Sequence, residues 1–166
     1  WAGMTPDIMA IAKALGGGFP IGACLATADA AKGMTVGVHG STFGGNPLAM
    51  AVGLAAFGEV SKPETLVHVN EVAGYLKQQL VGLAERYPDQ IVDVRGKGLL
   101  IGVKLIPNNR EFMALARDTQ QLLVAGGGDN CVRILPPLNL TLDEARLAIS
   151  KFEGALDAAR AKAAAA

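Results

Sequence analysis

TPDIMAIAKALGGGFPIGA, residues 5–23, sets a single lysine, Lys13, among apolar residues and follows it with three glycines and a Phe-Pro pair. Two readings fit this stretch. An amine attacks a carbonyl only when neutral, a state that apolar surroundings favour, so Lys13 has the setting of an amine nucleophile. Gly16, Gly17 and Gly18 let the backbone lie against a bulky planar group or take positive φ. The plainer reading is a short helix or turn over 7–15 with a glycine C-cap, Asp7 as its N-cap, and Lys13 in its last turn where a cation suits the dipole. Local physics alone favours the capped helix.

Outward from this stretch, FPIGACLAT, Phe19–Thr27, reads as a strand of a mostly buried sheet. A small helix at Asp29–Lys32 leads into VHGSTFGGNP, a loop dense in glycine and hydroxyl residues. Asn46 and Pro47 then make a strong helix start, N-cap followed by Pro at the first helical position, and the run to Val60 is helix-compatible. Ser41 and Thr42 therefore stand beside a helix N-terminus, where hydroxyls and free N–H groups suit a phosphate. The same residues also serve ordinary caps and turns, which is the more common use.

From Glu64 to Tyr87 the apolar residues Val69, Ala73, Leu76, Leu80 and Leu83 alternate steps of four and three, an amphipathic helix that Pro88 ends. IVDVRGKGLLIGVKL, Ile91–Leu105, reads as a strand pair or bent strand broken by glycines. A turn at Pro107–Asn109 precedes a helix over Glu111–Val124 that stops at Gly126–Gly128, and CVRILPPLNLT is extended. Thr141 and Glu144 form a capping box for the last helix, whose alanine-rich end is expected to fray. Arg133 stands in the apolar strand VRILPPL, on the face of Cys131 and Leu135. If buried it needs an anion, either a protein carboxylate or a substrate carboxylate held by its fork. Arg95, ahead of two glycines, reads as structural.

The composition sets outer limits. At 166 residues and 51% hydrophobic the chain can bury a core, and fifteen basic against fifteen acidic residues, in no long block, argue against a nucleic-acid surface. Cys24 and Cys131 are far apart, as are His39 and His68, which fits reduced thiols in a cytoplasm and no metal cage. No apolar run reaches the ~20 residues a membrane helix needs. GGGFPIG and RGKGLL match neither a dinucleotide fingerprint nor a phosphate-binding P-loop. The expected organisation is the end of a larger domain over 1–60, a connecting helix over 61–88, and a small α+β domain over 89–166. The chain opens on Trp1 and is expected to begin inside a longer reading frame.

Lys13, the Ser41–Thr42 loop and Arg133, in that order and spacing, give the chain its resemblance to the class III, ornithine-type aminotransferases that use pyridoxal 5'-phosphate. TPDIMAIAKALGGGFPIGA resembles the segment with the cofactor lysine, HGSTFGGNPLAMAV the phosphate-contacting loop, and VRGKGLLIGVKL with VRILPPLNLT the small domain. The wording looks closest to acetylornithine-type members of arginine biosynthesis, with succinylornithine, succinyldiaminopimelate, 4-aminobutyrate and ω-amine transaminases as alternatives. The resemblance implies an α/β fold, the C-terminal part of a fold-type I transferase, and a homodimer with shared active sites. Lys13 would hold the cofactor and shuttle a proton, Thr42 with Ser41 would contact the phosphate in the partner subunit, and Arg133 would bind a substrate carboxylate. The family's N-terminal half, with the groups that grip the ring and most of the phosphate, has no counterpart here. The chain alone is therefore expected to bind the cofactor weakly and not to transaminate, and a non-catalytic dimerising remnant is the competing reading.

Overall fold

The computed structural model describes residues 3–165; Trp1, Ala2 and Ala166 lie outside them, and with them the expectation drawn from Trp1, while the alanine-rich C-terminal end is helical as far as Ala164. The contacts divide the chain into two compact units at Lys62/Pro63.

The N-terminal unit begins with a two-stranded antiparallel ribbon, β1 (Ile8–Ala12) and β2 (Gly22–Ala26). The helix expected over 7–15 is instead β1 followed by a short 3-10 turn at Lys13–Gly16. Apolar, β-tolerant IMAIA finds a partner in β2, and pairing outweighs the weak local helix preference. Asp7 accordingly caps nothing; its carbonyl accepts from Thr27 N at 2.9 Å. The strand expected near Phe19–Thr27 is present, but every residue of β2 is exposed, because the ribbon has no third strand among the described residues.

Gly16 is the tight point of the turn. A Cβ there would sit 2.6 Å from Ile21 Cγ2, so only glycine lets the chain fold back. Helix α1 (Pro47–Val60) starts where expected, with Asn46 Oδ1 accepting from Ala49 N at 2.9 Å. It packs through Gly53 against Ile21 and through Ala56 against Gly17.

The C-terminal unit is an antiparallel sheet in the order β3-β4-β6-β5 with helices on one face. Its elements are α2 (Pro63–Arg86), β3 (Ile91–Lys97), β4 (Leu100–Leu105), α3 (Asn109–Gln120), β5 (Ala125–Gly126), β6 (Cys131–Ile134) and α4 (Leu142–Ala164). All five apolar positions read from the α2 pattern are buried. They join Ile101, Val103, Leu105 and Val132 from the sheet and a tilted Phe112–Phe152 ring pair, 5.1 Å apart, from α3 and α4. The helix expected as a connector over 61–88 thus shares the core of this unit. Helix α3 stops ahead of the glycines expected to end it. Asn108 caps its start, Gln121 takes the left-handed φ of 53° at its end, and Leu122 N returns to Ala116 O, so that Leu122 and Val124 turn back onto the core. Gly126 and Gly127 are thereby free to enter the β5–β6 hairpin.

Candidate functional site

Between β1 and β2 the chain makes its turn at Lys13, whose φ of 57° places a lysine in the region that favours glycine. Lys13 is exposed rather than enclosed by apolar neighbours, and it makes no hydrogen bond or ion pair among the described residues. It lines an open groove of about 560 Å3 with Ala12, Gly17, Gly18, Phe19 and Pro20. Gly17 and Gly18 both take positive φ there, so the far wall is largely backbone.

In the same unit the loop before α1 is exposed. Ser41 Oγ accepts from Gly44 N at 3.0 Å, the local turn bond that the plainer reading gave it. Its own O–H remains a donor. The Thr42 hydroxyl has no partner among the described residues. Asn46 fastens the loop to the helix, donating from Nδ2 to Phe43 O at 2.8 Å while Oδ1 caps α1. The sequence marked Asn46 as a cap only; its second bond, back into the loop, leaves no trace in residue pattern.

Arg133 belongs to the other unit, on the sheet face away from the helices. It shares that face with Cys131, as read, while Leu135 lies beyond the strand; Cys131 is buried beside Arg95, but Arg133 is exposed. No protein carboxylate bonds it among the described residues. Nε instead donates to the carbonyl of Gly126 at 3.0 Å. Register sets Arg95, Gly102, Arg133 and Ala125 in one row across the four strands, and bare Gly102 leaves a gap between the two arginines. That gap forms part of a glycine-rich groove of about 320 Å3. Beyond β6, Arg133 also borders an apolar cleft of about 340 Å3 lined by Leu122–Ala125, Ile134–Pro136 and α4.

The two arginines differ in their company. Arg95 donates to Asp129 Oδ2 at 3.1 Å and to Cys131 Sγ at 3.2 Å, and Lys104 donates to Asp129 Oδ1 at 2.8 Å. Those bonds, from Lys104 first and then Arg95, hold the Asp129 carboxyl below its ordinary pKa. Arg95 therefore ties down the turn after β5, the structural part its sequence position suggested. Of the two arginines, Arg133 has no carboxylate partner among the described residues. Asn109 was read only as the end of a turn; its side chain reaches Gly127 O at 3.2 Å and Cys131 O at 2.9 Å across the hairpin, a role with no sequence signal. Among the described residues no cluster of side chains could hold a metal ion, and no helix is long and apolar enough to cross a membrane.

Comparison with known proteins gives a consistent answer. A family model, aminotransferase class-III, matches residues 1–156. Acetylornithine aminotransferase 2 of Caulobacter vibrioides is 72% identical over 99% of this chain and 41% of its own length. The acetylornithine aminotransferase of Brucella melitensis is 52% identical over 95% of this chain and 39% of its own. Among solved structures, the acetylornithine aminotransferase of Elizabethkingia anophelis matches with a TM-score of 0.84 at 31% identity, over 93% of this chain and 39% of that one. The chain thus spans roughly two-fifths of the length of these relatives.

Proposed function

We propose a function from one premise: the chain belongs to the class-III aminotransferases, a family that uses pyridoxal phosphate. On that premise it is a portion of an enzyme that moves an amino group between N-acetylornithine and 2-oxoglutarate. The observation that carries this reading is Lys13, an unpaired lysine at left-handed φ on a glycine-walled groove, in a chain 72% identical to an acetylornithine aminotransferase.

The residues fit the cofactor chemically. Lys13 offers the primary amine that an aldehyde condenses with, and Gly17 and Gly18 let backbone approach a flat ring. The unpartnered Thr42 hydroxyl and the Ser41 O–H, just ahead of the Asn46-capped start of α1, are donors for a phosphate. Bound at Lys13, pyridoxal phosphate would supply the electron sink for breaking a C–H bond next to nitrogen. Lys13 then has two tasks, to anchor the cofactor and, once displaced by the substrate amine, to carry a proton to or from the substrate carbon. Arg133 takes a substrate carboxylate on its terminal nitrogens. Amino donor and 2-oxo acceptor use the site in turn.

Thr42 and Ser41 serve the site of a partner subunit in a homodimer, and the groups that hold the ring and most of the phosphate come from the remaining length of the relatives. This chain alone is accordingly expected not to transaminate. The test is a chimera in which the chain replaces the matched segment of the Caulobacter vibrioides relative. It is expected to transaminate N-acetylornithine with 2-oxoglutarate, and Lys13→Ala to lower the rate by ~1,000-fold or more, the scale of losing an essential nucleophile and proton carrier. A folded chimera active on 4-aminobutyrate but not N-acetylornithine would overturn the substrate assignment. Activity surviving in Lys13→Ala would overturn the site.

A further inference from the structure

The Arg133 guanidinium can meet a carboxylate in two ways, end-on through its two Nη groups or side-on through Nε and one Nη. Nε is already committed to Gly126 O, at 3.0 Å. That carbonyl belongs to a two-residue strand; the turn beyond it closes on its own backbone, Gly127 N donating to Cys131 O at 2.9 Å and Cys131 N to Gly128 O at 3.2 Å, and is fastened further from outside. Asn109 Nδ2 donates to Gly127 O and Cys131 O, on opposite arms of the hairpin, while Asn109 N is held by Asn130 Oδ1 at 2.9 Å. Asn130 in turn donates to Leu105 O and Pro107 O, and Asp129 is held by Arg95 and Lys104. Gly127 lies beside the arginine stem: a Cβ there would reach ordinary contact, 3.4 Å from both Arg133 Cγ and Cys131 Cβ, and a branched side chain would go further and crowd the stem.

We infer that Asn109 is a positioning residue for Arg133: by clamping the β5–β6 hairpin it fixes the Gly126 carbonyl on Nε, so that the arginine presents its two Nη groups end-on to the carboxylate of a 2-oxo acid. This rests on the reading of Arg133 as the carboxylate binder. It assigns a specificity that arginine alone lacks. A fork held at Nε has one approach direction, and a planar carboxylate must come in along it. Asp129 lies in the same turn but is engaged by Arg95 of β3 and Lys104 of β4, and so is kept from taking the fork itself.

Two measurements test this. In the 15N-labelled chain, the Arg133 Nε–Hε signal, assigned by its loss in Arg133→Lys, is expected to exchange slowly with solvent. It is expected to exchange about tenfold faster in Asn109→Ala, as a bond whose support is gone opens more often. Gly127→Val, which leaves the Asn109 bonds but crowds the arginine stem, should act in the same direction, and α3 amide signals report whether either variant has lost the fold. In the chimera, Asn109→Ala should raise KM for 2-oxoglutarate about tenfold, the scale of one misaimed charge-assisted bond, with kcat little changed. Unaltered Hε exchange and KM in Asn109→Ala, with KM raised in Arg133→Lys, would overturn the positioning role while leaving the carboxylate reading intact. Unaltered KM in Arg133→Lys would overturn the carboxylate reading itself.

Discussion

Lys13 holds a backbone conformation that a lysine adopts at a cost. A residue with a Cβ in the left-handed region gives up about 1 kcal/mol or more against glycine, and such outliers persist where the side chain is needed. Lys13→Gly is therefore expected to be more stable than Lys13→Ala by about 1 kcal/mol, measured by urea unfolding of the two variants of the chimera, although both remove the amine. Equal stability would mean that the turn carries no strain. The left-handed φ was hidden from the sequence for a physical reason. KALGGG is compatible with a helix end, and only the pairing of β1 with β2 pulls the lysine into the turn. The strand that carries Arg133 was legible, the arginine's exposure was not, because exposure depends on what covers a sheet face and strand alternation says only which face.

At the scale of elements, legibility follows how local the cause is. The N-cap at Asn46, the capping box at Thr141 and Glu144, and the α2 stripe are all set within one or two turns, and each is where its pattern put it. Helix α3 is the counterexample, since its end is set by Leu122 and Val124 reaching a core assembled from distant strands. Glu144 accepts from Thr141 N at 2.8 Å, and that bond first, then the one from the Thr141 hydroxyl, lowers its pKa. A carboxyl depressed in the fold contributes stability that is present above its unfolded pKa and lost as pH falls through the folded value. Far-UV ellipticity followed through acid should accordingly show wild type and Glu144→Gln converging at low pH, and a gap that persists there would count against the box. The β3–β4 hairpin carries a sharper constraint. Gly96 has φ 143°, and a Cβ on it would lie 2.1 Å from Leu100 O. Gly96→Ala must break the pairing or move the strand, and a loss of roughly 3 kcal/mol or more in urea unfolding is expected.

Over the whole chain the two units differ in what holds them. The C-terminal unit has a continuous core, and the segment after α2 is tied to α4 by side chains: Tyr87 OH to Asp157 Oδ1 at 2.7 Å, Gln90 Nε2 to Leu156 O at 2.9 Å, and an ion pair of Asp89 with Arg160. In the described part of the N-terminal unit, Ala49 is the single buried hydrophobic side chain, while Leu48, Leu54 and Phe57 of α1 are exposed. A helix apolar all round belongs inside a larger body, in keeping with a chain that spans two-fifths of its relatives. Residues 63–166 produced alone should therefore unfold in urea with the midpoint of the C-terminal transition in the full chain. Amides of β3, β4 and β6 should be protected from hydrogen exchange while those of β1 and β2 exchange almost freely. The clasp at Tyr87 lets the same transition be identified by pH. Its hydrogen bond to Asp157 first, then burial, pushes the phenol up to about 12 from its ordinary 10.0. A pKa raised in the fold contributes stability fully present below about 10 and lost as pH rises toward about 12. The urea midpoint of 63–166 should exceed that of its Tyr87→Phe variant by a constant margin near neutral pH, and the margin should close between those values. A margin unchanged by alkali would place the clasp elsewhere, and protection of β1 and β2 equal to that of β4 would show that the N-terminal unit needs no further chain to be stable.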